Sequence, residues 1–190
     1  LNQVRQRDGY LILVFWIRHM KNVSKDYLTH LKIDYDVDKL ILESELIDFK
    51  PLKIKSEKAR GTPFENFPSW EFGHMKKPFG DIAKLTQYFE SLFDVKIDPR
   101  YLKQHANTEV PMHSDNGTQT CINILLSDNF GPITFEDIGD VQYERALINV
   151  SKRHAVKRHS EERLLLKLSI FDKSYDECYN RLPASIINVT

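Results

Sequence analysis

Two stretches in the C-terminal half carry residues able to do chemistry together. VPMHSD ends an apolar run with His113-Ser114-Asp115, directly before an Asn-Gly turn signal, and NVSKRHAV places His154 39 residues beyond Asp115. In an extended strand, residues i and i+2 share a face with Cα atoms ~6.6 Å apart, so the His113 imidazole and the Asp115 carboxylate can converge on one cation. His154, opening a later strand, is the best source of a third ligand. Two imidazoles and one carboxylate on one side of a metal leave its opposite side open. A lone His-x-Asp/Glu pair means little, since seven histidines in a chain about one-seventh acidic should produce roughly one by chance. The chain has two, and context separates them: His159-Ser160-Glu161 lies in KRHSEER, which reads as a solvated turn.

The last apolar run, RLLLKLSIF, alternates strictly. Leu164, Leu166, Leu168 and Ile170 share one face, while Arg163, Leu165, Lys167 and Ser169 share the other. If the leucine face packs under helices, Arg163 and Lys167 point inward, where a cation is unfavourable unless an anion meets it. The Arg163 guanidinium is a planar fork matched to a carboxylate. With the leucines packed elsewhere, the same polar face would lie in water.

These residues need a β framework, and the chain carries its signals. From Asp98 onward come RYLKQHA, VPMHSD, TQTCINILLS, PITFED, VQYERALINVS, RHAVKR and RLLLKLSIFD, separated by Asn-Gly, Asp-Asn, Gly-Pro and Gly-Asp turn signals. Strands of this number and spacing predict a sandwich or barrel. The first hundred residues mix helix and strand. Ser24 is placed to cap a short helix through His30, and Asp38 to open DKLILESELI. The clearest helix is GDIAKLTQYFESLF, where Ile82, Leu85, Phe89 and Leu92 recur at helical spacing and Asp81 suits the positive N-terminal end. TPFENFPSWEFGHMKKPF, from Phe64 to Phe79 above all, is too proline-broken for a regular element and too aromatic for a solvated linker. It is expected to seal the core or to flank the substrate side of the site. YLILVFWI (Tyr10 to Ile17) reads as a buried strand, far short of the ~20 apolar residues a bilayer requires. A signal peptide has Arg5 and Arg7 in its favour, but IRHMKN follows where a small-residue cleavage site belongs.

Lys+Arg and Asp+Glu both number 27, giving zero formal net charge, so neither a nucleic-acid nor a membrane partner is expected. Cys121 and Cys178 are too few for a disulfide framework, and Cys121 sits in an apolar strand as a small hydrophobe. A reducing, cytoplasmic setting is expected. The 190 residues are expected to form a single domain: a mixed layer over 1–95, a β core over 96–173 and a C-terminal tail over 174–190.

Together, His113-Ser114-Asp115, His154 and Arg163 nine residues after it resemble the Fe(II)- and 2-oxoglutarate-dependent oxygenase superfamily, whose HxD…H triad and basic residue sit on a double-stranded β-helix. The resemblance covers about the last hundred residues. It includes the order of parts: an N-terminal helical layer, then eight short strands with HxD on the second and the distal His on the seventh. It implies a mainly β, cupin-like jelly roll with N-terminal helices packed on one sheet. It implies further that His113, Asp115 and His154 hold Fe(II) as the catalytic centre, and that 2-oxoglutarate chelates the metal and meets Arg163 through its far carboxylate. O2 would then be consumed in hydroxylating a substrate C–H bond, with release of succinate and CO2. Asn123 and Tyr101, then Thr120, are polar groups on neighbouring strands expected to complete the cosubstrate contacts. Leu165, not serine, stands two places after Arg163, so the chain is more similar to the prolyl-hydroxylase-like and aspartyl/asparaginyl-hydroxylase-like branches than to the plant desaturase-like one. The expected substrate is an amino acid, a peptide side chain or a small metabolite. The competing readings are a cupin-like metal enzyme that does not use 2-oxoglutarate and a jelly-roll binding or structural module with incidental histidines.

Overall fold

The computed structural model describes residues 25–51, 70–128 and 131–188. The Tyr10–Ile17 run, and Phe64 and Phe67 of the aromatic stretch, lie outside them. In chain order the elements are β1 (Leu28–His30), α1 (Val37–Glu45), β2 (Phe49–Pro51), β3 (Trp70–His74), α2 (Gly80–Phe93) and β4 (Ile97–Gln104). There follow β5 (Val110–His113), β6 (Thr120–Leu125), β7 (Ile133–Phe135), β8 (Gly139–Val141), β9 (Arg145–Ile148), β10 (His154–Val156), β11 (Arg163–Ile170) and α3 (Tyr175–Tyr179). The strands form two antiparallel sheets, one ordered β1-β9-β6-β11-β4-β3-β2 and the other β5-β10-β7-β8. The protein is mainly β, with the arrangement of a jelly roll.

Strand β11 lies inside the large sheet, paired along its length with β4 on one side and β6 on the other. Its alternation therefore decides which residues enter which core. Leu166, Leu168 and Ile170 join Ile82, Leu85, Phe89 and Phe93 of α2 on one face of the sheet. Leu165 faces the small sheet, packing in a second core with Ile133 and Phe135 of β7. The leucine face thus packs under helices, and Arg163 and Lys167 face the space between the sheets.

Helix α2 forms where its periodicity predicts, burying Ile82, Leu85 and Phe89, while Phe93 rather than the partly buried Leu92 completes the face. Its first turn is held by a distant side chain: the Glu43 carboxylate accepts the N–H groups of Asp81 (2.6 Å) and Ile82 (3.1 Å). Helix α1 is capped by Asp36, which accepts the Lys39 N–H at 3.1 Å, so it opens ahead of Asp38. Leu28–His30 are a strand, not the end of a helix from Ser24, because their backbone pairs with Ala146–Ile148 of β9. Trp70–His74 are also a strand, since the gap between Pro68 and Pro78 is long enough for β3 to pair with both β2 and β4. The N-terminal part therefore is not a helical layer: it interleaves its helices with three strands of the large sheet. Beyond β11, Tyr175, Cys178 and Leu182 return to the helix-side core, with α3 opened by a Ser174–Glu177 capping box. No described helix is long and apolar enough to cross a membrane.

Candidate functional site

His113 closes β5 and His154 opens β10, and the pairing of these strands sets the two residues directly opposite each other. Their ring centroids are 4.4 Å apart. Asp115 follows two residues on, its backbone N–H donated to the Val150 carbonyl at 3.0 Å, and the Gly117 turn, with φ of 87°, lets the chain leave for β6. One ligand atom from each of His113, Asp115 and His154 lies within 4.8 Å of the others. Asp115 Oδ1 is 3.3 Å from His113 Nε2 and 3.9 Å from His154 Nε2.

Both imidazoles are held the same way. His113 Nδ1 lies 2.8 Å from the Pro111 carbonyl and His154 Nδ1 lies 2.9 Å from the Lys152 carbonyl. A carbonyl can only accept, so each Nδ1 carries a proton and each Nε2 is turned toward Asp115. This is the tautomer a metal-ligating histidine needs, fixed before any metal arrives.

The charges are equally directed. Lys167 donates an ion-paired hydrogen bond to Asp115 Oδ2. Burial alone would push the Asp115 carboxyl up, but the Lys167 ammonium and the hydrogen bond from His113 hold it well below the usual carboxylate range. Burial likewise works against the Lys167 ammonium, yet its neighbour Asp115 raises it above its ordinary value. Desolvation pushes His154 down to about 4, so at neutral pH it is the uncharged, ligating form.

The triad opens on a cavity of about 340 Å³ between the sheets, walled by Trp70, Phe72, Leu102, Val110 and Val156 and entered by Asn123, Arg163 and Lys167. Arg163, only 2% exposed, lies four residues along β11 from Lys167, ~13 Å of strand. Its Nη2 donates to the Gly131 carbonyl at 3.0 Å. Among the described residues its Nε and the Trp70 Nε1 find no acceptor, and no carboxylate pairs with the guanidinium. Arg163 and Trp70 both line the cavity, and a guanidinium buried there without a carboxylate partner among the described residues calls for an anion.

Of the other residues singled out by sequence, Asn123 faces the cavity, its Nδ2 donating to the Tyr143 hydroxyl at 3.2 Å and its Oδ1 accepting from Cys121 Sγ at 3.3 Å. Tyr101 does not reach the cavity. It lies on the helix-side face of β4, fully buried, and its hydroxyl donates to the Leu40 carbonyl at 2.6 Å. Thr120 is likewise displaced, sharing its face of β6 with Ile122 and Ile124, which pack on the helices, and donating to the Lys173 carbonyl at 3.3 Å. From the aromatic stretch expected to flank the site, Trp70 and Phe72 line the cavity; Tyr143 also lines it, and sequence reasoning missed that residue. Ser160 and Glu161 of the second His-x-acid pair are exposed.

No family model matches the sequence, and no curated protein matches it. Solved structures do. A 2OG-Fe(II) oxygenase family oxidoreductase from Burkholderia pseudomallei superposes with a TM-score of 0.54 at 10% identity, covering 83% of this chain and 90% of the other. HygX from Streptomyces hygroscopicus, crystallised with nickel, 2-oxoglutarate and hygromycin B, gives 0.55 at 12% identity over 81% and 86%. A prolyl hydroxylase from Trichoplax adhaerens, in complex with a hypoxia inducible factor peptide fragment, gives 0.54 at 13% identity over 89% and 97%. The chain has the fold of the 2OG-Fe(II) oxygenases.

Proposed function

We propose that the protein is a non-haem Fe(II)- and 2-oxoglutarate-dependent dioxygenase, a hydroxylase built as one domain whose β4–β11 strands form a double-stranded β-helix. The observation that carries this reading is the convergence of His113, Asp115 and His154, with ligand atoms within 4.8 Å and both histidines locked as Nε2 donors. Two imidazole nitrogens and one carboxylate oxygen suit Fe(II) and leave its opposite side for exogenous ligands. The residues present also fit the cosubstrate: the buried Arg163, which lines the cavity, has no carboxylate partner among the described residues.

When bound, iron with 2-oxoglutarate and O2 supplies oxidative decarboxylation to succinate and CO2, coupled to hydroxylation of a C–H bond. His113, Asp115 and His154 hold the metal, Arg163 takes the far carboxylate of the cosubstrate, and Asn123 contributes a cavity-facing amide. The apolar walls exclude water from the reacting centre. One fold neighbour is seen with hygromycin B bound and another in complex with a peptide fragment, which supports a small molecule or a peptide side chain here. Zero net charge argues against nucleic acid, and two buried, unbridged cysteines are consistent with a cytoplasmic setting.

Anaerobic addition of Fe(II) and 2-oxoglutarate tests the reading. A visible charge-transfer band that His113→Ala abolishes is expected, followed by succinate release on admitting air. Stoichiometric metal binding without the band would favour a cupin-like enzyme that does not use 2-oxoglutarate. Absence of metal binding would leave a non-catalytic module.

A further inference from the structure

We propose that Lys167 is a positioning residue that makes metal binding depend on the anionic cosubstrate. The inference rests on the dioxygenase reading of the site and adds to it a residue with a defined effect.

The two oxygens of Asp115 have different partners. Oδ2 is taken by the Lys167 ammonium, while Oδ1 faces His113 Nε2 at 3.3 Å and His154 Nε2 at 3.9 Å. Lys167 therefore leaves a single carboxylate oxygen for the cation and fixes which one it is. Opposite Lys167 in the register stands Asn123, whose amide is committed to Tyr143 and Cys121. Asp115 is the only carboxylate among the described residues in ion-pair contact with the ammonium.

The same contact sets the charge of the site. Asp115 and Lys167 cancel as a pair, so a divalent cation gains no net attraction from them and sits close to a partly buried ammonium. Bulk solvent screens that repulsion only in part, because both side chains of the pair are largely covered. A chelating 2-oxo acid brings negative charge to the metal and relieves it, so each partner tightens the other by the same factor. Without the ammonium, the carboxylate would hold a bare cation more strongly and gain less from the anion.

Calorimetry with Ni(II) and N-oxalylglycine, an unreactive 2-oxo acid analogue, tests this without turnover. In the wild type, saturating N-oxalylglycine should tighten Ni(II) binding by on the order of tenfold or more. In Lys167→Met, Ni(II) alone should bind about tenfold tighter than to wild type, and the effect of the analogue should shrink to within about threefold. Lys167→Gln, which retains a hydrogen-bond donor to Oδ2 without the charge, should behave like Lys167→Met and serves if the methionine variant does not fold. A purely structural lysine would instead loosen Ni(II) when removed. The proposal is overturned if both lysine-free variants bind bare Ni(II) no tighter than wild type, or if wild type binds metal and analogue independently. Failure of the dioxygenase reading looks different: wild type would show no Ni(II) binding sensitive to His113→Ala, or the Ni(II)-loaded protein would bind no analogue.

Discussion

Replacing Arg163 with Met should make the protein more stable and less able to bind its cosubstrate. The guanidinium is 2% exposed, meets no carboxylate among the described residues and makes one described hydrogen bond, to the Gly131 carbonyl. Exchanging a buried ionic group for an apolar one of similar volume is neutral to stabilising by about 1–4 kcal/mol. Loss of the Gly131 hydrogen bond returns about 1 kcal/mol of that. A net gain of about 1 kcal/mol corresponds to roughly 2–4 °C for a chain of this size. Against this stand two charge-assisted hydrogen bonds to the ligand's far carboxylate, together about 3 kcal/mol, or roughly 150-fold in affinity. Thermal melts of the metal-free protein and calorimetric titration of N-oxalylglycine into the Ni(II)-loaded protein measure the two effects separately. A variant that melts several degrees lower and binds the analogue as tightly as wild type would mean that the guanidinium is structural, and the assigned anion site would be wrong.

Metal-free protein should lose stability as pH falls from about 6.5 toward 4, because the unfolded chain takes up a proton at His154 that the folded chain refuses until about 4. The loss from this group is roughly 3 kcal/mol, with His30, also lowered by burial, acting in the same direction; urea midpoints across the window should flatten in His154→Leu. The depressed Asp115 carboxyl adds stability above its unfolded value near 4, which is withdrawn only at still lower pH. Glu43→Ala strips the acceptor from two N–H groups at the start of α2 and should cost about 1–2 kcal/mol, read as a melt roughly 2–8 °C lower, with Ni(II) affinity unchanged. Phe89→Ala empties a fully buried position under the large sheet and should cost about 3–5 kcal/mol, seen as a lower urea midpoint.

What could be read from the residues follows the range of the forces involved. Alternation in β11 and helical spacing in α2 are local, so both elements and their buried faces were legible. The triad was legible because His113 and Asp115 stand two residues apart at the end of an apolar run and His154 opens a later strand, although Asp115 itself lies just past β5. Facing was not legible where a strand offers plausible residues on both sides. In β4, Tyr101 shares parity with Ile97, and Leu102 with Gln104; only pairing with β3 and β11 decides that the tyrosine goes to the helices. Thr120 fails for the same reason, having the parity of Ile122. Leu28–His30 became a strand through partners more than a hundred residues away, which no local propensity encodes. The ion pair that gives Lys167 its place joins residues 52 apart in sequence, and local periodicity predicted only that such an anion was needed.

The central strand of the large sheet carries leucines for one core and cations for the other on alternate residues. A slip of one residue would drive Arg163 and Lys167 among the phenylalanines of α2 and turn the leucines toward the histidines. Completing the hydrophobic interior and assembling the binding chamber are thus one event in the life of the chain. Stoichiometric Ni(II) uptake would report that event directly, counting molecules whose interior is threaded in the native register.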